Sequence, residues 1–279
     1  MELTIIVVSV GNPLLIRRFF DSLSVQTCKN FSVLFVYAPT FAEATVKNIC
    51  LSYPDMLITP LPSNDCCLSR SRNLALKSVK GDIVAISDDD CAYEPDTIEK
   101  VLYIFRKNEK IAVLMGRSLG YQEPIPSSEP SLSPLNKYSL FKGCPSYVHF
   151  YRAKVVKTIG CFDEELGVGC STPYQSGEET DYALRALDAG FCAARASSVI
   201  VRHPSEFLLN QHIVNKTARY AAGRMQLLAK HKFPTWFVVA NVFYPLLRLP
   251  LECFSKNFHV AKYRWAMFKG RLTWLLRLW

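Results

Sequence analysis

The chain has 279 residues, of which 49% are hydrophobic, and this composition excludes a wholly disordered protein. The ten cysteines show no paired zinc-ligand spacing, and no basic segment precedes the first apolar run, so we predict reduced thiols in a cytosolic protein. The net charge of +9 is uneven, because residues 206–279 carry 12 Lys and Arg against 2 Asp and Glu. This segment should attract anions, but no recognition motif accompanies it, so we expect no nucleic-acid partner.

Predicted strands and helices alternate along the first 205 residues. Continuous apolar runs predict buried strands over 3–10, 31–37, 82–87, 111–116, 147–151 and 198–202. Between them, helical spacing predicts helices over 13–23, 71–79, about 97–108, and 178–189. Asp96 and Glu99 predict a capping box at the start of the third helix. This alternation predicts an α/β fold with a mostly parallel sheet flanked by helices.

Two later segments break the alternation. Residues 118–136 contain four prolines and five serines, which predicts a mobile loop. From about Phe207 the pattern becomes helical, basic and aromatic, so we predict an α/β domain over 1–205 and a helical extension over 206–279. The apolar run over 236–254 contains Pro245, Arg248 and Pro250, and lacks the uninterrupted length of a membrane-spanning helix.

The last segment, KYRWAMFKGRLTWLLRLW, mixes basic residues with three tryptophans, the last of them Trp279. Basic and aromatic residues at helical spacing are typical of a helix that lies on an anionic bilayer surface. The alternative is a helix that packs on the domain with its charges in solvent.

Three consecutive acids, Asp88, Asp89 and Asp90, follow the predicted strand 82–87. In open α/β sheets, ligands bind beyond the carboxyl ends of the strands. Adjacent carboxylates repel each other unless a cation or several donors hold them, and Mg²⁺ and Mn²⁺ combine carboxylates with phosphate oxygens and water. The acids therefore predict a divalent cation that carries a phosphorylated ligand, with a solvated acidic turn as the alternative.

Five segments in this order resemble the family 2 glycosyltransferases: LTIIVVSVGNP, SLSVQT, SRSRNLALKSVKGDIVAISDDDCAYEPD, IGCFDEELGVG and SGEETDYALRALDAG. The third segment contains a D-x-D element at Asp88 and Asp90, and the fifth resembles the G-E-D-x-D helix of the family. The resemblance extends over most of residues 3–205. It implies a GT-A fold, which is Rossmann-like, and a transfer reaction that uses a nucleotide sugar and Mn²⁺ or Mg²⁺.

The resemblance also implies roles around the D-x-D element. Asp90 would coordinate the metal that bridges the donor diphosphate, and His203 falls where many relatives have a further metal ligand. Asp88 would hold the ribose or help to orient the metal shell, and Asp89 could serve either role. Arg72 would lie near the diphosphate, where a guanidinium suits phosphate oxygens. Arg70 would share that task or be a surface residue.

The nucleotide side of the site departs from the family pattern. Relatives usually carry an acid after the second strand that hydrogen-bonds the nucleobase, and this chain has Tyr37 there. The first strand ends in Ser9-Val10-Gly11-Asn12, where relatives commonly have Pro-Thr-Tyr-Asn. We expect Tyr37 and Ser9 to line the nucleotide site, with UDP as the default nucleotide and dTDP or GDP as alternatives.

The helix that begins near residue 178 supplies the candidate catalytic base. Its first turn contains Glu178, Glu179 and Asp181, and the family pattern places the base at the second acid of the pair, Glu179. Glu178 remains the other candidate. A base on the far face of the sugar implies direct displacement and inversion of the anomeric carbon. The alternative is that these acids only complement the helix dipole.

Together these features predict an enzyme that extends a surface polysaccharide. The tail suggests a lipid-linked glycan acceptor and a peripheral position on the cytoplasmic face of the membrane. A metal-dependent nucleotidyltransferase is a rival, but its glycine-rich phosphate loop is absent from the turn Gly11-Asn12-Pro13. A non-catalytic protein of the same fold that binds sugar nucleotides is the other alternative.

Overall fold

The computed structural model describes residues 1–127, 129–204, 211–254 and 258–277, and within them nine strands form one mixed sheet. The strands are β1 (Leu3–Ser9), β2 (Phe31–Tyr37), β3 (Leu57–Pro62), β4 (Ile83–Asp88), β5 (Ala92–Tyr93), β6 (Ile111–Leu119), β7 (Leu132–Leu135), β8 (His149–Arg152) and β9 (Cys192–Arg202). The helices are α1 (Pro13–Ser24), α2 (Glu43–Leu51), α3 (Leu68–Leu76), α4 (Thr97–Lys107), α5 (Ala153–Ile159), α6 (Glu178–Asp188), α7 (Gln211–Lys230), α8 (Thr235–Phe254) and α9 (Phe258–Arg277). The predicted features at Phe207 and Trp279 lie outside the described residues.

The strand order is β3-β2-β1-β4-β8-β6-β9-β5, and β7 pairs with β9. The first four strands in this order are parallel, whereas β8 runs antiparallel to both β4 and β6. Strand β1 occupies an interior position, and all seven of its residues are buried. This explains its unbroken apolar sequence, because a strand covered on both faces cannot alternate with polar residues.

Helices α1 and α4 cover the sheet with apolar side chains. Phe19 and Phe20 of α1 are buried, as are Val101 and Phe105 of α4, and they belong to the same hydrophobic cluster as β1 and β2. Asn12 caps α1 by accepting a hydrogen bond from the backbone N–H of Leu14 at 3.1 Å. These helices support the sheet from which the strand-end acids project.

Several elements were absent from the predicted pattern. Helix α2, strand β3 and helix α5 were not predicted, β7 lies inside the predicted loop 118–136, and β9 begins six residues earlier than expected. The predicted capping box of α4 is wrong, because Asp96 occupies the N-cap position without a side-chain cap hydrogen bond. Its carboxylate pairs instead with Lys100 at 2.8 Å, and Glu99 accepts a hydrogen bond from Thr27 at 2.7 Å.

The prediction that all cysteines are reduced is also wrong. Cys67 and Cys170, which are 103 residues apart in sequence, form a disulfide bond. Cys91 and Cys144 are buried, as expected for small core residues, but Cys66, Cys161 and Cys192 are exposed. The spacing rules missed the disulfide because the fold brings together two cysteines that share no local motif.

The chain divides into two compact units. The first comprises Met1–Cys66, Arg70–Phe162 and Tyr182–Ser205, and the second comprises Cys67–Ser69, Asp163–Asp181 and Glu206–Trp279. Within the second unit, α9 packs against both α7 and α8. Gly270 of α9 lies directly against the backbone of Ala218 in α7, where a Cβ atom would collide. None of the described helices combines the length and apolarity that crossing a bilayer requires.

Candidate active site

The three consecutive acids, Asp88 to Asp90, lie at one edge of the sheet in the first unit. Ser9 and Tyr37, which were predicted to line the nucleotide site, lie at the same edge. In the register of the parallel strands, Ser9 of β1 lies opposite Tyr37 of β2, and Val8 lies opposite Asp88 of β4. The carboxyl ends of β2, β1 and β4 therefore bring Ser9, Tyr37 and the acids together. This is the edge at which ligands bind in open α/β sheets.

Asp89 points back toward β1. The hydroxyl of Ser9 donates a hydrogen bond to Asp89 Oδ2. Burial raises the pKa of Asp89 to about 6, with the neighbouring charges of Asp90 and Asp88 adding to the increase and the Ser9 hydrogen bond opposing it. Asp89 is therefore less readily ionised than an ordinary aspartate, and its side chain is held by a protein hydroxyl.

Asp88 is held by a buried guanidinium. Arg72 of α3 donates from Nη2 to Asp88 Oδ1 at 3.0 Å, and its side chain is fully buried. The hydroxyl of Ser146 lies 3.3 Å from Asp88 Oδ2. Arg70, two residues earlier, instead pairs with Asp65 at 2.9 Å and is half-exposed. The structure therefore brings Arg72, but not the head group of Arg70, into contact with the acids.

Asp90 faces His203, which follows the last residue of β9. Nε2 of His203 lies 3.3 Å from Asp90 Oδ1, and the His203 ring stacks on Tyr147 with a centroid distance of 4.4 Å. Burial opposes a charge on the imidazole, but the hydrogen bond and charge of Asp90, with the charge of Asp88, outweigh it and raise the pKa of His203. Stacking and burial fix the ring with one nitrogen toward the acid.

This pair fits a divalent cation. Nδ1 of His203 lies 2.9 Å from the carbonyl oxygen of Pro204, so Nδ1 carries a hydrogen, and Nε2 faces Asp90 either with a proton, in the imidazolium, or with a lone pair, in the neutral ring. Two lone pairs can face each other at 3.3 Å only when a proton or a cation lies between them. Among the described residues, no three His, Cys, Asp or Glu side chains form a metal-binding cluster. Two protein ligands suit an ion that completes its shell with phosphate oxygens and water.

Sequence reasoning missed the residues that surround Asp90. The hydroxyl of Tyr121 donates to the backbone oxygen of Asp90 at 2.7 Å, and the guanidinium of Arg18 lies 4.4 Å from the Tyr121 ring centroid. A short 3₁₀ turn supplies Ser146, which contacts Asp88, and Tyr147, which stacks on His203. Arg18 and Tyr147 lie in segments that were predicted as a helix and a strand, but no local signal places these side chains beside Asp90 and His203, because tertiary packing brings them there.

The second unit contains the first turn of α6, with Glu178, Glu179 and Asp181. Glu178 is buried, and a Cβ atom added to Gly167 would lie 3.2 Å from its carboxyl carbon. Gly167 has φ = +110°, so it meets both conditions that favour glycine, a positive φ and a close approach. Glu179 is half-buried and lines a cavity together with Tyr220 and Arg224. Of the three acids, Glu179 is the one that lines this cavity.

Asp181 is fully buried and joins α6 to α7. Its Oδ1 lies 2.7 Å from Lys230 Nζ and 2.9 Å from His231 Nε2. Lys230 also pairs with Asp163 at 2.6 Å. This network occupies the Asp181 carboxylate, so the geometry indicates that Asp181 holds two helices together, which leaves Glu178 and Glu179 as candidate bases.

The sequence model described as "Glycosyl transferase family 2" matches residues 4–158. An "uncharacterized glycosyltransferase" of Haemophilus influenzae is 26% identical over 194 residues, which cover 66% of this chain and 62% of that protein. The chain therefore spans less than two thirds of the length of this relative.

Solved structures show the same fold at low sequence identity. The mannosyltransferase PcManGT of Pyrobaculum calidifontis, in complex with GDP-Man and Mn²⁺, is similar with a TM-score of 0.64 and 15% identity, covering 99% of this chain and 74% of the other. S. aureus TarS 1-349 in complex with UDP-GlcNAc is similar with a TM-score of 0.59 and 16% identity, covering 98% and 92%. With the mixed α/β sheet and the family match over more than half of its length, the chain belongs to glycosyl transferase family 2 and has a GT-A fold.

Proposed function

We propose that this protein is a metal-dependent, inverting glycosyltransferase that moves a sugar from a nucleotide sugar to a hydroxyl of a glycan acceptor. The observation that carries the proposal is the Asp90–His203 pair at the carboxyl end of β4, the sheet edge where a diphosphate would bind. The relatives of the same fold that bind GDP-Man and UDP-GlcNAc support a nucleotide sugar as the donor. UDP remains the default nucleotide, with dTDP and GDP as alternatives.

On the donor side, Asp90 and His203 would hold Mn²⁺ or Mg²⁺. The bound ion would neutralise the charge that develops on the departing nucleoside diphosphate. Arg72 anchors Asp88 and keeps its carboxylate fixed for the ribose or for the metal shell. Ser9 and Tyr37, at the ends of neighbouring strands, would line the nucleotide site.

On the acceptor side, Glu179 is our candidate for the general base. A base must reach the acceptor hydroxyl, and Glu179 faces a cavity, whereas Asp181 is held by Lys230 and His231. Removal of the hydroxyl proton by Glu179 would make the oxygen a nucleophile. Attack on the anomeric carbon from the face opposite the nucleotide then inverts its configuration.

The helical extension supports an acceptor at a membrane surface. An apolar stripe on α8 is exposed to solvent, with members spaced three and four residues apart as on one face of a helix: Trp236, Val239, Phe243, Tyr244 and Leu247. Residues 206–279 also carry a net charge of +10, which favours an anionic bilayer. We propose a peripheral enzyme on the cytoplasmic face of the membrane, which acts on a lipid-linked glycan in surface polysaccharide synthesis.

The direct test is to incubate the full chain with Mn²⁺ and a panel of UDP, GDP and dTDP sugars, and to measure nucleotide release. One donor class should be hydrolysed or transferred. Glu179→Gln should then lower transfer by about 10²–10⁴-fold while donor binding stays unchanged. Glu165→Gln, which changes an exposed glutamate, is the control and should match the native protein. If no donor is bound or turned over, the proposed function is wrong.

A further inference from the structure

The second unit contains a cavity that is larger than the one that Glu179 lines. Its volume is about 400 Å³, against about 170 Å³ for the cavity at Glu179. Sites for small molecules usually have volumes of about 300–1,000 Å³. The larger cavity lies between the loop at residues 173–174, helix α7 and helix α9, and it is large enough for an organic ligand.

Small and aromatic residues shape the larger cavity. Gly270 of α9 lies against the backbone of Ala218 in α7, where a Cβ atom would collide, so the two helices approach closely there. One turn further along each helix, Ala222 and Trp274 line the cavity. Trp274 is buried and its Nε1 donates to Gln226 Oε1 at 3.2 Å, which fixes the ring. The lining is mainly apolar, which suits a hydrocarbon chain.

Two basic side chains, Arg219 and Lys269, also line the larger cavity. They are the sequence neighbours of the two residues in close contact, one on each helix, and both are exposed. Within the described part of the chain, neither forms an ion pair or a side-chain hydrogen bond, and none of the described lining residues is acidic. Water solvates these two charges in the free protein, and an anionic group could take the place of that water.

The larger cavity is built from the same segments as the cavity at Glu179. Residues 173–174 line the larger one and residues 176–177 and 179–180 line the smaller one, while α7 and α9 contribute to both. The hydroxyl of Ser176 donates to the backbone oxygen of Tyr220 at 2.8 Å, and the Ser176 backbone lies against Gly223. These contacts fix the segment on α7. A ligand in the larger cavity therefore lies beside the place where an acceptor hydroxyl would meet Glu179.

We propose that the larger cavity binds the phosphate-bearing lipid end of the acceptor, with the hydrocarbon chain inside and the phosphate between Arg219 and Lys269. This rests on the proposed function, and it names the part of the acceptor that the protein holds. A guanidinium and an ammonium group together match a phosphate monoester, which carries about two negative charges at neutral pH. The site differs from the stripe on α8, because it takes a single lipid molecule and needs no bilayer surface.

The test measures binding of single-chain amphiphiles to the full chain, below the concentration at which they form micelles and without nucleotide or metal. Isothermal titration with decyl phosphate should show saturable binding in a one-to-one complex. Hexyl phosphate, inorganic phosphate and the neutral decyl maltoside should each bind at least about tenfold more weakly, because each lacks part of the chain or the charge. Inorganic phosphate tests free phosphate as the ligand, and decyl maltoside tests the chain alone.

Variants of exposed residues locate the bound amphiphile. Combined Arg219→Gln and Lys269→Gln should lower the affinity for decyl phosphate by at least about tenfold, since both charges contact the head group. Thr273→Trp fills the cavity and should also weaken binding. Two control variants should change the affinity by less than about twofold: Lys262→Gln, which removes a charge of α9 outside the cavity, and Leu247→Glu, which alters the stripe on α8.

The charge variants test the site even where the tryptophan variant does not fold. The inference is wrong if decyl phosphate does not bind saturably, if decyl maltoside or inorganic phosphate binds as tightly, or if the charge variants bind like the native protein. An equal loss in Leu247→Glu would also overturn it, because the stripe on α8 would then hold the amphiphile. Saturable binding of decyl phosphate without turnover of any donor removes only the proposed function, and donor turnover without binding of decyl phosphate removes only this inference.

Discussion

Nε2 of His203 lies 3.3 Å from Oδ1 of Asp90, although 113 residues separate them in sequence. The stack on Tyr147 and the bond from Nδ1 to Pro204 hold the imidazole in this orientation. The family resemblance implied that both residues bind one metal, and the structure places their side chains next to each other. Because the two side chains lie this close together, one divalent cation could bind both Asp90 and His203.

Removal of either member of this pair should weaken metal binding. We expect His203→Ala and Asp90→Asn each to lower the affinity for Mn²⁺ by at least about tenfold, because direct ligands contribute more than their supporting shell. Electron paramagnetic resonance of free Mn²⁺, measured with UDP present, gives the affinity without an activity assay. Asp55→Asn changes an exposed acid far along the chain and is the control. Unchanged affinity in Asp90→Asn would contradict the assignment.

Asp181 should matter for stability, in contrast to Glu179. Asp181→Asn leaves Lys230 and His231 without their shared buried carboxylate, so the free energy of unfolding should fall by about 3 kcal/mol. Glu179→Gln should leave stability within about 0.5 kcal/mol of the native value, since it changes a half-buried residue at a cavity. Urea unfolding of both variants checks the contrast. Equal stability of the two would argue against the structural role of Asp181.

His149 should make the protein sensitive to acid. Its ring is buried, Nε2 donates to the backbone oxygen of Cys144 at 3.0 Å, and Nδ1 accepts from the hydroxyl of Tyr151 at 2.8 Å. Burial lowers the pKa of His149 from 6.5 to about 4, so the folded state favours the neutral ring. The stability it contributes is present above pH 6.5 and is lost as the pH falls toward 4.

The full loss corresponds to about 3 kcal/mol of unfolding free energy. His149→Gln keeps a donor for the Cys144 oxygen and an acceptor for Tyr151, but it does not titrate. Urea unfolding at pH 7 and pH 4 should therefore show a smaller decrease for this variant than for the native protein. Parallel curves for the two proteins would mean that His149 is not the group that responds to acid.

The sequence predicted the centre of the sheet better than its edges. Strands β1, β2 and β4 are covered on both faces, so their apolar runs were visible. Strand β3 lies at the edge of the sheet, is largely exposed and contains Pro60 and Pro62, which are tolerated there but obscure the pattern. The alanine-rich start of β9 has weak strand propensity, and its pairing with β6 and β7 decides its conformation.

The candidate site, like the sheet, could be predicted only in part from the sequence. Asp88, Asp89 and Asp90 were found because one strand and its following turn carry them together. Ser146, Tyr147 and Tyr121 were missed as site residues, because only tertiary packing brings them to Asp88, His203 and Asp90. The partners of Asp181 were also missed, because they come from a helix about fifty residues later, and tertiary packing alone brings them together.

The disulfide should stabilise the second unit. Cys67 and Cys170 close a loop of 103 residues, and a crosslink of this span contributes about 4.7 kcal/mol in the chain-entropy description. Reduction, or Cys170→Ser, should therefore lower the melting temperature, whereas Cys192→Ser at an exposed free thiol should not. Alkylation without reductant, followed by mass spectrometry, should leave Cys67 and Cys170 unmodified. Their modification in the native protein would contradict the bond.

Disulfides are rare in the cytosol, so the same alkylation in intact cells also tests the proposed compartment.

The exposed stripe on α8 should mediate binding to anionic membranes. Leu247 lies in the middle of the helix and is 74% exposed, an arrangement that water alone does not favour for a leucine flanked by Phe243 and Tyr244. Leu247→Glu places a negative charge in the stripe and should lower sedimentation with vesicles of phosphatidylglycerol by about tenfold. Leu51→Glu changes an equally exposed leucine of α2 in the first unit and should leave sedimentation unchanged. Binding of the native protein to vesicles should also weaken when salt is added or when neutral phosphatidylcholine replaces phosphatidylglycerol, because both changes remove the electrostatic attraction. Equal sedimentation of the two variants would mean that the stripe serves a protein partner instead.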